Sequence, residues 1–156
     1  MRYHWRKSVL LIIAIWLVAG VGTAWAVLSF SGDKCWTVKI TRTEDGPVNE
    51  TTTMKLHIKV LDTTTYAVHG TVSTPTQNPM IMMGTGARIG AKIYLNLATT
   101  LIDSSADRLA GVTRIELNPT TLNGTFWSIE NDFGTVGGAF HSSNYWAGTL
   151  TYKRCP

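Results

Sequence analysis

Charge is scarce in this chain, and what there is does not gather. Asp, Glu, Lys and Arg make up 15% of the residues, and the formal charge of +4 is concentrated at the start in Arg2, Arg6 and Lys7. Beyond them 11 basic groups face 10 acidic ones, scattered singly. With no run of Lys or Arg able to follow a phosphate backbone, nucleic acid is excluded as a partner. Cysteine is almost absent: two in 156 residues cannot make a disulfide-dense scaffold, so the chain must bury a core of its own. Catalytic signatures are missing as well. There is no Gly-x-Ser-x-Gly, no Ser-x-x-Lys and no His-Glu-x-x-His. Gly84-Thr85-Gly86 lacks the further glycine and the strand-to-helix setting of a phosphate cradle. The expectation is a protein that is not an enzyme and carries no cofactor.

The long apolar run is confined to the N-terminus. Residues 2–7 are basic, Val9 to Val21 is an uncharged apolar stretch, and Ala24-Trp25-Ala26 offers small residues at both positions of a leader-peptidase site. Residues 1–26 therefore read as a signal peptide. The rival reading extends the apolar run to Phe30, long enough to cross a bilayer as an anchor with the basic end inside. Either way the remainder lies outside the cytoplasm, secreted, periplasmic or tethered, and meets a membrane only through this segment. Cys35 and Cys155, an even pair in an oxidising compartment, are expected to form a disulfide.

After Ser31 helical periodicity is also lacking, and alternation takes its place. Thr52 to Leu61 sets Met54, Leu56, Ile58 and Val60 against Lys55, His57 and Lys59, and Tyr66, Val68, Gly70 and Val72 resume the pattern. Ile81–Ile89 and Ala91–Ala98 read as a second hairpin turning at Gly90, with Ile81, Met83, Ile93, Leu95 and Leu97 on its apolar face. Leu109–Leu117 and Thr125–Ile129 make a third pair. Gly134–Phe140 and Tyr145–Arg154 close the series, and Trp36–Thr43 opens it.

The count is eight or nine strands in one all-β antiparallel domain spanning 35–156, a closed up-and-down barrel in preference to a two-sheet sandwich. Closure follows from the cysteines, since one opens the first strand and the other ends the last. The architecture is similar to lipocalin-like and avidin-like barrels. The lipocalin first-strand Gly-x-Trp is not present, because Lys34 stands two before Trp36.

Few side chains suggest chemistry. His57 and His69 fall opposite or diagonal on the non-core face of the first hairpin, but no third ligand accompanies them and lysines flank His57, so no metal is expected. Glu130 and Asp132 read as a solvated loop pair, and Asp103 and Asp107 as a polar loop. Asn49-Glu50-Thr51 and Asn123-Gly124-Thr125 match the glycosylation acceptor pattern. Trp127 and Tyr145 alternate onto the face opposite Phe126 and Trp146, which leaves some aromatics outside to stack on sugar or a protein partner.

Two functions fit. One is a barrel holding a small apolar molecule among Met54, Leu56, Ile58, Val68, Met83 and Leu95, where interspersed glycines leave room. The other is a structural or accessory subunit of an envelope or extracellular assembly, acting through its outer surface.

Overall fold

A computed structural model describes residues 30–73, 79–102, 108–133 and 140–156. The chain divides into Met1–Phe30 and Ser31–Pro156, and the signal or anchor assignment for residues 1–26 lies outside the described residues. Among the described residues no helix is long and apolar enough to cross a membrane.

The second unit is all strand: β1 (Gly32–Thr43), β2 (Gly46–Val60), β3 (Thr65–Ser73), β4 (Met80–Ile89), β5 (Lys92–Ile102), β6 (Arg108–Leu117), β7 (Gly124–Phe133) and β8 (Phe140–Lys153). Each pairs antiparallel with the next, and β8 returns to β1, so the sheet closes into an eight-stranded up-and-down barrel rather than a sandwich. A closed sheet has no free edge to pair with other chains. β1 begins at Gly32, four residues ahead of the expected Trp36, and β2 begins six residues ahead of the alternating stretch. The strand expected at Gly134–Phe140 falls outside the described residues except for Phe140, which opens β8.

Alternation determines what faces in. Even-numbered residues of β1 to β3 are buried: Trp36, Val38 and Ile40, then Met54, Leu56 and Ile58, then Tyr66, Val68 and Val72. In β5 the buried set is odd, with Ile93, Leu95, Leu97 and Thr99. The change of parity occurs at the β4–β5 turn. That turn has two residues, Gly90 and Ala91, between the paired Ile89 and Lys92, and Gly90 takes a left-handed φ of 58° as such tight hairpins require. A turn centred on Gly90 alone would have put Ile81 and Met83 inside. One extra residue flips every side chain. Ile81 and Met83 are thus 45% and 57% exposed, Met82 is buried, and the inward face of β4 continues as Gly84 and Gly86. A Cβ at Gly86 would sit 2.4 Å from Leu95 Cδ2, so the glycine makes room for the leucine across the ladder.

One end of the barrel is packed shut. Trp36, Leu56, Ile58, Tyr66, Ile93, Leu95 and Leu117 are essentially inaccessible there. The β6–β7 loop folds over this floor, its backbone held by Asn118, whose Oδ1 accepts from the amides of Thr120 and Thr121 at 2.8 and 3.1 Å. Leu122 is placed in the left-handed region at φ 57°, unusual for a leucine. Its side chain is buried and its carbonyl accepts a 2.7 Å hydrogen bond from Trp36 Nε1. The indole thereby joins β1 to the loop that closes the floor.

Cys35 and Cys155 form the expected disulfide, with Cα atoms 5.1 Å apart. Cys35 alternates with the inward Trp36 and pairs with Lys153 of β8, so the bridge crosses the β1–β8 seam from the outer side. It points to an oxidising, extracytoplasmic compartment.

Candidate binding site

Above the floor the barrel is not filled. A cavity of about 170 Å³ lies among the inner faces of all eight strands. Its size is comparable to an apolar cavity of about 150 Å³ that accepts benzene. The cavity occupies the half of the barrel where β1, β3, β5 and β7 end and β2, β4, β6 and β8 begin. A depression of about 210 Å³ beside the Lys92–Glu116 ion pair, bounded by Leu117, Asn118 and Asn123, is more open.

The cavity has two kinds of wall. Val38, Ile40, Met54, Val72, Met80, Met82, Ile115, Phe126 and Leu150 make an apolar arc. Polar groups form the rest: Thr52, Thr99, Thr113, Ser128, Glu130, Asn144 and the indole of Trp146. Ser128 and Thr113 hydroxyls are 2.9 Å apart, directly across β6 and β7, and Ser128 donates to Glu130 Oε1 at 3.2 Å. The hydroxyls of Thr52 and Thr99 and the Nε1 of Trp146 are buried without a protein partner.

Glu130 is the unexpected member. It is 3% exposed, where the sequence suggested a solvated loop. β7 runs through it to Phe133, and the parity that turns Phe126 and Ser128 inward carries Glu130 in as well. Its cross-strand neighbour on β6 is Gly111, and a Cβ there would lie 2.7 Å from Glu130 Cγ and 2.4 Å from the Ile129 carbonyl. Glycine is thus what lets the carboxyl arm lie against β6. Burial pushes the Glu130 carboxyl above the ordinary glutamate range, and the Ser128 hydrogen bond offsets this only in part.

Of the six residues expected to hold a ligand, Met54 lines the cavity. Leu56, Ile58, Val68 and Leu95 are buried but not in its lining; they belong to the packed core. Met83 is a correction, since it lies on the outer wall for the reason of turn length given above. Reasoning from apolarity missed the polar arc, whose signal was parity alone: Ile115 of β6 faces in and is opposite Phe126, which fixes Ser128 and Glu130.

On the outer wall His57 and His69 are directly opposite, ring centroids 5.1 Å apart. His57 Nδ1 is 2.8 Å from Asp33 Oδ1, and Lys55 reaches the other carboxylate oxygen at 2.9 Å. These contacts, that of Lys55 first, hold Asp33 down to about 2. Among the described residues no three His, Cys, Asp or Glu side chains are grouped to hold a metal ion. Trp127 and Tyr145 are outside, 37% and 36% exposed, while Phe126 and Trp146 line the cavity. Of the acceptor asparagines, Asn123 takes a 2.8 Å hydrogen bond from the Tyr152 amide through Oδ1. Asp103 and Asp107, and the side chain of Asp132, fall outside the described residues. No family model, no curated protein and no solved structure matches the chain.

Proposed function

We propose that this is an exported, non-catalytic binding protein that holds one small, mainly apolar molecule in the barrel. The observation that carries the reading is the cavity: one half of the barrel is filled to the floor, and the other keeps about 170 Å³ between an apolar arc and a few polar groups. That is the make-up of a small-molecule site, in which apolar walls supply affinity and a few polar groups fix orientation. The disulfide across the seam suits work outside the cytoplasm. Titration with an apolar dye whose fluorescence rises on leaving water tests it. Saturable binding at one dye per barrel is expected, abolished when Val72→Trp fills the cavity. A folded wild-type protein with no saturable dye binding would end the reading.

A second reading, an accessory subunit of an envelope or extracellular assembly, is favoured by the outer wall. Met83, Ala98, Val112, Ile129 and Tyr145 follow one another in cross-strand register from β4 to β8, a continuous apolar row facing outward. Contiguous apolar surface of this kind marks protein contact sites. A partner protein with its own apolar face would cover it. Cross-linking from a photoreactive residue at position 112 in the exporting cell should trap such a partner, and a wholly monomeric pattern would count against it.

A further inference from the structure

Resting on the binding reading above, we propose that the cavity selects amphipaths bearing a cationic amine, with Glu130 receiving the amine and the apolar arc its hydrocarbon tail. Glu130 is the only ionisable side chain among the described lining residues, which include no Lys, Arg or His. Its cross-strand partners are Gly111 on β6 and Asn144 on β8, neither of which titrates. Among the described residues the site therefore has a place for one positive charge and no cation to neutralise a second negative one.

Fatty acids and other carboxylates meet the wrong electrostatics. An anionic head beside Glu130 would be desolvated with no cation among the described lining residues to receive it, the most costly form of burial. A neutral alcohol fits without penalty but gains only ordinary hydrogen bonds. An ammonium carries three donors. One satisfies the Glu130 carboxylate in a charge-assisted bond, and a second suits the hydroxyl of Thr99, buried at 2% exposure without a protein partner. Trp146 Nε1 can only donate, so an acceptor oxygen next to the amine completes the match.

Protonation states follow the same logic. In the free barrel burial favours the neutral carboxyl of Glu130. Arrival of an ammonium favours the carboxylate, so at any pH where Glu130 is protonated in the free barrel the carboxyl proton leaves to solvent as the ion pair forms. The O–H bond of Glu130 is the one broken, and no other bond changes.

The test is displacement of the bound apolar dye by octylamine, 1-octanol and octanoate, matched in chain length, at neutral pH. Octylamine should bind about tenfold or more tighter than octanol, the increment of a charge-assisted bond over a neutral one, and octanoate weakest. Glu130→Gln should lower octylamine affinity to about that of the alcohol. Calorimetry in two buffers of different ionisation heat, repeated from neutral pH down to about the ordinary glutamate range, should detect proton release with octylamine at the acid end and none with octanol. If Glu130→Gln does not fold, the ranking and the proton release in the wild-type barrel decide the matter. Octanol binding as tightly as octylamine, octanoate binding best, or an amine preference that survives Glu130→Gln overturns the proposal and leaves the cavity a binding site. Failure of all three compounds to displace the dye also overturns it, and failure of the dye itself to bind removes the binding function.

Discussion

Cutting the Cys35–Cys155 bridge is a perturbation whose size follows from the chain itself. The two cysteines are 120 residues apart, so the bridge closes nearly the whole barrel into one ring. In the folded state the ends it joins are already held by the β1–β8 ladder, which runs from Cys35 opposite Lys153 to Thr43 opposite Trp146. The bridge therefore restrains mainly the unfolded chain. For a ring of this length the chain-entropy treatment gives about 5 kcal/mol at room temperature. A barrel of roughly 125 residues unfolds with an entropy of about 0.26 kcal/mol per kelvin, so the loss corresponds to a melting temperature lower by about 15–20 °C. The double variant Cys35→Ser, Cys155→Ser, compared with wild type by calorimetry and urea unfolding, reads this directly. Its urea slope should rise, because an unbridged chain expands further on unfolding. Thiol titration of denatured, unreduced wild type should find none free. Two free thiols per chain would refute the bridge, and a melting shift under about 3 °C would refute the entropic reasoning.

Three further outcomes are expected. Glu130 has a folded-state value above its unfolded one, so the free barrel is most stable below the ordinary glutamate value and loses stability as pH rises through the folded value; melting temperature against pH should show this decline, and Glu130→Gln should flatten it. Asp62 has the opposite sign: it accepts from the backbone amides and hydroxyls of Thr64 and Thr65 in the β2–β3 turn, the Thr65 hydroxyl at 2.6 Å, and is held down to about 2. Its contribution is present above the ordinary aspartate value and is lost as pH falls toward about 2, so Asp62→Ala should lower the urea midpoint at neutral pH and the gap should close in acid; a gap independent of pH would count against the turn. Gly111→Ala puts a Cβ against the Ile129 carbonyl and Glu130 Cγ, and should cost about 1–3 kcal/mol in urea unfolding while weakening ligand binding; a variant as stable as wild type would show that Glu130 does not depend on this glycine.

Where the interior is uniformly apolar, the chain announces its own fold. Met54, Leu56, Ile58 and Val60 against Lys55, His57 and Lys59 admit one face assignment, and Val60 opposite Tyr66 brings His57 against His69 as the turn spacing demands. The cysteines at the two ends were enough to argue for closure. β4 is harder, because Met80-Ile81-Met82-Met83 is apolar on both faces and only the length of the Gly90-Ala91 turn decides which pair goes in. β7 is harder still. Its outward residues Trp127 and Ile129 are more apolar than the inward Ser128 and Glu130, so hydrophobicity read locally inverts the faces. That inversion arises where the interior is a polar-lined site, and where the chain departs from the rule that polar groups go outside.

The cost of the polar arc decides how the cavity should be understood. A buried polar atom without a partner costs about 1–3 kcal/mol, against a whole-domain stability of about 5–15 kcal/mol. Thr52, Thr99 and Trp146 each place such an atom beside the cavity, and Glu130 adds a desolvated carboxyl. A barrel optimised only for stability would fill this half as it fills the other, with Leu and Ile across from glycine. Water entering the cavity would satisfy the hydroxyls and the indole but would also wet Val72, Met82, Ile115 and Phe126. A purely apolar occupant would cover those residues and leave the polar arc unpaired. Only a molecule with one apolar and one polar end answers both walls at once. On the binding function proposed above, the division of the barrel into a packed floor, tied by Trp36 to Leu122, and a two-sided cavity above it is a division of labour: the floor supplies the stability that the cavity gives up for recognition.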